Sequence, residues 1–166
     1  MNRLTFCTAT VVFALLFGEA FAHVSLESKT VQTGASFDAT FRVGHGCAGS
    51  PTVKLNIRIP EGVVAVEPQD KDGWSVTSTS GTLDHATVSG GQSFSEGAKV
   101  VTWSGRLSPH QVATFTLKAR LADDAVAGQR VIFPVYQQCE KGEERWIDPN
   151  DEDDHPAPFL EIVPKR

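Results

Sequence analysis

The chain has 166 residues, 40% of them hydrophobic and 21% charged, with 15 basic against 20 acidic side chains and a formal charge of −5. That balance, with no cluster of Lys or Arg, argues against nucleic acid or an anionic membrane surface as partner, since both reward concentrated positive charge. A cation is compatible with it.

The first element is a leader. Arg3 gives a positive start, F-C-T-A-T-V-V-F-A-L-L-F over 6–17 gives an apolar run too short to span a bilayer comfortably, and Ala20 and Ala22 flank Phe21 as the small residues of a cleavage site. The expected division is therefore 1–22 as signal peptide, cut after Ala22, and 23–166 as a single domain of 144 residues. No later stretch approaches the roughly 20 apolar residues of a membrane helix, so the mature chain is expected to carry no transmembrane anchor and to reside in the periplasm or be secreted.

Past the leader the chain reads as strands. Phe37, Ala39, Phe41 and Val43 alternate with Asp38, Thr40 and Arg42, and Val53, Leu55, Ile57 and Ile59 alternate with Lys54, Asn56 and Arg58 before Pro60 and Gly62 close the run. Further candidates are 100–104 around Trp103, 113–121, 130–137 and 159–163, with Gly and Pro recurring between them. Pro134 cannot donate to a ladder, so its strand is expected at an edge or bulged. The Ser, Thr and Gly-rich stretch 78–96 reads as a long mobile hairpin or loop, 122–127 as at most a turn of helix, and 150–155 as a solvated acidic loop before Pro156 and Pro158. The fold class expected is all-β, an immunoglobulin-like antiparallel β-sandwich of two packed sheets.

Cys7 leaves with the leader, so Cys47 and Cys139 remain. In an oxidising compartment two cysteines most simply pair, and closing so long a loop is worth roughly 4–5 kcal/mol on the chain-entropy model. The alternative is a pair of thiolates on a soft metal such as Cu(I), without the C-x-x-C spacing that would favour it.

The cut after Ala22 has a chemical consequence. It makes His23 the first residue, and a terminal histidine offers its α-amine and its imidazole Nδ1 to one ion as a single chelate ring, a histidine brace. Two nitrogens in a chelate, completed by oxygen in a tetragonal plane, suit Cu(II) better than the other divalent first-row ions. Weaker ligand candidates are His45, between Gly44 and Gly46, where the flanking glycines allow either a ligand approach or a sharp turn, and Glu27; Glu67 and Glu144 are further oxygen donors. His85, His110 and His155 lie in loop-like surroundings and read as solvated, and Trp74 and Trp103 read as core.

Read in order, H-V at His23 and Val24, V-G-H-G-C-A-G-S-P-T over 43–52, I-P-E-G-V over 59–63, G-W at Gly73 and Trp74, V-x-W-S-G over 101–105, F-P-V-x-Q-x-C over 133–139, G-x-E-R-W over 142–146 and P-A-P over 156–158 resemble the YcnI-like family of exported copper-associated proteins. The resemblance implies an immunoglobulin-like sandwich, a single-histidine brace for Cu(II) and a tryptophan near the metal, which here falls on Trp146. An indole has no basic lone pair, so Trp146 is expected beside the ion and not bound to it. Relatives often carry a C-terminal membrane anchor; with V-P-K-R over 163–166, none is expected here.

The functional expectation is a copper-binding protein that buffers, carries or hands on Cu(II), with a copper chaperone or a membrane copper transporter as partner, and not an enzyme. A copper-dependent oxidative enzyme of the polysaccharide-monooxygenase type is the alternative, but such enzymes pair the brace with a second histidine on a flat aromatic surface, and Tyr136 is the one tyrosine here. No G-x-S-x-G, H-E-x-x-H or glycine-rich phosphate loop occurs. A metal-free adhesive or assembly sandwich is the third reading.

Overall fold

Along several of the strands residues of one parity go inward, and that alternation builds the core. The computed structural model describes residues 23–150, 152 and 154–165, so the leader and the cut after Ala22 lie outside the described residues. In chain order the strands are β1 (Ser25–Leu26), β2 (Thr30–Gln32), β3 (Ser36–Val43), β4 (Thr52–Arg58), β5 (Val63–Pro68) and β6 (Ser75–Ser89). They continue with β7 (Gln92–Leu107), β8 (Ala113–Leu121), β9 (Arg130–Ile132), β10 (Val135–Cys139), β11 (Glu143–Trp146) and β12 (Phe159–Val163). Ala39, Phe41 and Val43 of β3, Leu55 and Ile57 of β4, and Phe115 and Leu117 of β8 are buried in a common core while their neighbours face outward.

Two antiparallel sheets, in the orders β1-β3-β8-β5 and β11-β10-β4-β7-β6, carry most of that core, as expected of an immunoglobulin-like sandwich. A third sheet was not anticipated. In it β12 pairs antiparallel with β9 and parallel with β2, in the order β2-β12-β9. The stretch 130–137 is two strands instead of one, because the chain leaves the third sheet after Ile132 and joins the five-stranded sheet at Val135. Pro134 sits at that crossing, where its carbonyl accepts from the Arg58 N–H at 2.9 Å and its missing donor costs no ladder bond.

Residues 78–96 form regular structure. β6 and β7 pair from Ser75 with Ser104 to Ser89 with Gln92, so the hairpin reading holds and the loop reading does not. Small polar residues suit this ribbon because much of it is solvated on both faces. Its tip returns to the other sheet: Ser89 Oγ donates to the Leu121 carbonyl at 2.7 Å, and the Asp123 N–H to the Val88 carbonyl at 2.8 Å. Residues 122–127 form turns, not a turn of helix. Trp103 is wholly buried beside Phe115, whereas Trp74 is only partly buried and packs edge-on against the same ring, with centroids 4.9 Å apart. Gly105 makes that seat possible, since a Cβ there would lie 2.4 Å from the Trp74 ring.

Candidate functional site

The first described residue stands where an edge of one main sheet meets an edge of the other. Val24 and Leu26 are buried in the core, which directs the chain around them along the edge strand β1 and leaves His23 partly buried at its head. On the facing edge, β11 presents Glu144 and Trp146 on one side and Glu143 and Arg145 on the other, as two-residue alternation requires. The His23 and Trp146 rings meet there at 5.6 Å between centroids, inclined at 63°.

The indole is fixed from behind. Gln137 lies opposite Glu144 in the β10–β11 ladder and so diagonal to Trp146 on the same inward face, a position within reach of long side chains. Its Oε1 accepts from the Trp146 indole N–H at 3.1 Å, and its Nε2 donates to the His45 carbonyl and to Thr52 Oγ1, each at 2.7 Å. Gln137 is 1% exposed and Thr52 wholly buried. A buried amide is tolerated because its oxygen and both its N–H bonds are engaged. Beside it Cys47 and Cys139 form the expected disulfide, with Cα atoms 6.0 Å apart, so the thiolate-metal alternative lapses.

A second imidazole reaches the indole from the acidic loop. The His155 carbonyl accepts from the Ile147 and Asp148 N–H groups at 3.1 and 3.3 Å, and the Ala157 N–H donates to the Asp148 carbonyl at 2.8 Å, so the loop is closed at its neck. This brings the His155 ring to 4.9 Å from Trp146, and its Nε2 to 2.8 Å from Glu144 Oε2. His155 is therefore partly buried and paired, contrary to the solvated reading, while His85 and His110 are exposed as expected. Asp151 and Asp153 lie outside the described residues.

The other candidates fall elsewhere. His45 Nδ1 donates to the Gly46 carbonyl at 2.6 Å, and a Cβ on Gly46 would lie 1.8 Å from the Ser50 carbonyl oxygen. The G-H-G run is thus a sharp turn against the backbone, and the Nδ1 of the ligand candidate His45 is held within it. Glu27 is exposed, roughly 13 Å of extended chain beyond His23. Glu67 lies on β5, three strands across the sheet from β1, or roughly 14 Å. Sequence reading missed Gln137 and His155. A polar residue between the inward-facing Val135 and Cys139 was a usable signal for Gln137, whereas only closure of the acidic loop brings in His155.

Among the described residues no three His, Cys, Asp or Glu side chains gather to hold a metal ion. A brace needs only one such side chain, because its other donor would be the amine that a cut after Ala22 would release. The donors at this rim are nitrogen and carboxylate oxygen, partly exposed beside an aromatic wall, a set that fits Cu(II).

A family model described as a domain of unknown function, DUF1775, matches residues 23–162. The chain belongs to the DUF1775 family. A crystal structure of an uncharacterized Nocardia farcinica protein with an immunoglobulin-like fold aligns at TM-score 0.64 and 22% identity, over 86% of this chain and 99% of that one, which shows the fold of this DUF1775 chain. A cohesin–dockerin complex from Clostridium thermocellum aligns at TM-score 0.43 and 10% identity, over 85% and 98% of the two chains. A putative membrane anchored protein from Corynebacterium diphtheriae aligns at 0.40 and 11%, over 84% and 34%. Neither of these two weaker likenesses carries an argument. Comparison with curated proteins gives no match.

Proposed function

We propose that this DUF1775 protein binds Cu(II) outside the cytoplasm through the α-amine and imidazole of His23, once a leader has been removed after Ala22, and that it buffers, carries or hands on copper without turning over a substrate. The observation that carries this reading is the contact between the His23 and Trp146 rings, 5.6 Å apart at the rim of the sandwich, where the resemblance calls for a tryptophan beside the metal. Two further facts support it. The family match opens at His23, and the Cys47–Cys139 disulfide suits an oxidising compartment such as the periplasm or the cell exterior. Among the described residues no helix is long and apolar enough to cross a membrane. The partner in this reading is a copper chaperone or a membrane copper transporter.

The test is a Cu(II) titration of the processed protein followed by electron paramagnetic resonance, with the first residue verified by mass spectrometry. One ion per chain in a tetragonal signal with equatorial nitrogen is expected. His23→Ala, or one extra residue ahead of His23, should weaken binding at least a hundredfold while leaving thermal stability nearly unchanged. Equal binding by the extended protein would refute the brace.

A further inference from the structure

The outermost strand of a sheet carries backbone N–H and C=O groups that face away from its neighbour, and natural sheets guard such edges with short strands, charge, proline or bulges. Most edges of this molecule are guarded. β1, β2 and β9 hold two or three residues each. β11 holds four, of which Glu143, Glu144 and Arg145 are charged, while β5 is bulged between Val64 and Glu67 and ends in Pro68. The edge at β6 is different. Over 75–82 it reads S-V-T-S-T-S-G-T, without a charge or a proline, and all of these residues except Val76 and Gly81 are exposed. Its pairing with β7 shifts between Thr79 and Ser80, but the unpaired residue there is Lys99 on the β7 side, so β6 itself runs unbroken to Thr82. It bulges only beyond, at 83–86, where Asp84 stands. Among the described residues the backbone of 75–82 bonds to β7 alone.

We infer that residues 75–82 are the joint of a symmetric dimer, in which β6 of one copy pairs antiparallel with β6 of a second and the two five-stranded sheets run on as one. The side chains identify the occupant. A twofold axis normal to an antiparallel pair sets one residue opposite its own copy and matches its neighbours on either side. With the axis at Thr79, in the middle of the stretch, Ser78 faces Ser80, Thr77 faces Gly81 and Val76 faces Thr82. Hydroxyls both donate and accept, so like can face like, whereas a charged residue at the axis would meet its own charge. A run without charge is therefore what self-pairing requires, in a chain whose formal charge is −5 overall. An extended peptide from another protein is the other ligand such an edge takes, but that mode reads its ligand through pockets for alternate side chains. Among the described residues the larger cavities are lined by other parts of the chain. A second copy needs no pocket, since the axis itself fixes the register. β6 and β11 lie at opposite edges of the five-stranded sheet, so this joint leaves the His23–Trp146 rim of each copy open and stands independently of the copper reading.

The experiment is sedimentation velocity of the metal-free protein, with a chelator present so that no ion bridges two copies, from micromolar to near-millimolar concentration. A reversible monomer–dimer equilibrium is expected. Thr79→Lys and Thr79→Glu each bring like charges face to face and should weaken dimerisation at least tenfold, with melting temperatures within about 3 °C of the parent because the side chain is exposed. Mixed in equal amounts, the two variants should recover a dimer of one copy each, since their charges are then opposite. Thr79→Gln, which is neutral, should associate as the parent does. A protein that stays monomeric at every concentration overturns the inference. So does a dimer that both charged variants leave intact, which would put the contact elsewhere on the surface. Failure of the mixture to associate, when each variant is folded by circular dichroism, overturns it as well, because the self-facing register predicts that rescue and a merely disturbed ribbon does not.

Discussion

Replacing Gln137 with leucine removes the amide that holds Trp146 and keeps nearly the same volume. Three hydrogen bonds disappear, to the His45 carbonyl, to Thr52 Oγ1 and from the indole N–H. Each is worth about 1 kcal/mol net, and the groups left behind are costly as well, since Trp146 is only 4% exposed and Thr52 not at all. An unsatisfied buried indole N–H costs roughly 1–3 kcal/mol, against which burying a leucine side chain returns about 2 kcal/mol. The expected loss is about 3 kcal/mol, which for a domain of this size lowers the melting temperature by roughly 10 °C. Thermal unfolding followed by far-UV circular dichroism measures it, and tryptophan emission reports the indole directly. Gln137→Glu is the control. Its second carboxylate oxygen would face the His45 carbonyl, acceptor against acceptor, so it should not restore stability although the indole keeps a partner. A Gln137→Leu protein that melts within 2 °C of the parent with unchanged emission would refute the claim that this amide positions the tryptophan.

The remaining expectations concern other parts of the fold. Cys47→Ala with Cys139→Ala opens a loop of 92 residues in sequence separation and should cost roughly 4–5 kcal/mol in calorimetry while Cu(II) affinity changes less than tenfold; the opposite ordering would indicate that the corner serves the metal more than the fold. Gly105→Ala should cost about 1–3 kcal/mol and shift Trp74 emission, because the new methyl would lie 2.4 Å from its ring; a variant as stable as the parent would mean that the ring moves aside freely. In the proposed brace the terminal amine has to lose its proton to bind, so apparent Cu(II) affinity should climb between pH 6 and 9, most steeply near the ordinary α-amine value of about 7.7–8.0. A flat profile in isothermal titration would argue against amine ligation.

Strands that bury one face were legible because burial writes itself into the sequence with a period of two, and 36–43, 113–121 and 159–163 were found to the residue. The short pieces were not. β1, β2 and β11 hold two to four residues each, too few to show a period, and the pairing of β2 is decided by β12, a partner distant in sequence. The β6–β7 ribbon lacked the signal for a different reason: with much of both faces in water, serine and threonine alternate with nothing. At the candidate site, the expected cut and the motif order singled out His23 and Trp146, whose rings do meet. Gln137 announced itself weakly, as a polar residue on an inward face. His155 did not, since its place depends on a loop whose closure is made by backbone groups common to every residue.

The third sheet imposes an order of events. β12 occupies its middle, joined on one side to β9 and on the other, in parallel, to β2 from the opposite end of the chain. Neither neighbour can acquire its partner until residues 159–163 are present. A chain that emerges from its beginning has to wait, unfinished, for β12 to arrive. Segments joined across so much sequence also close slowly, because the entropy of the intervening chain must be lost before any contact repays it. Until then Val31 and Val131 lack Ile162 and Leu160, the core residues that pair with them across the third sheet.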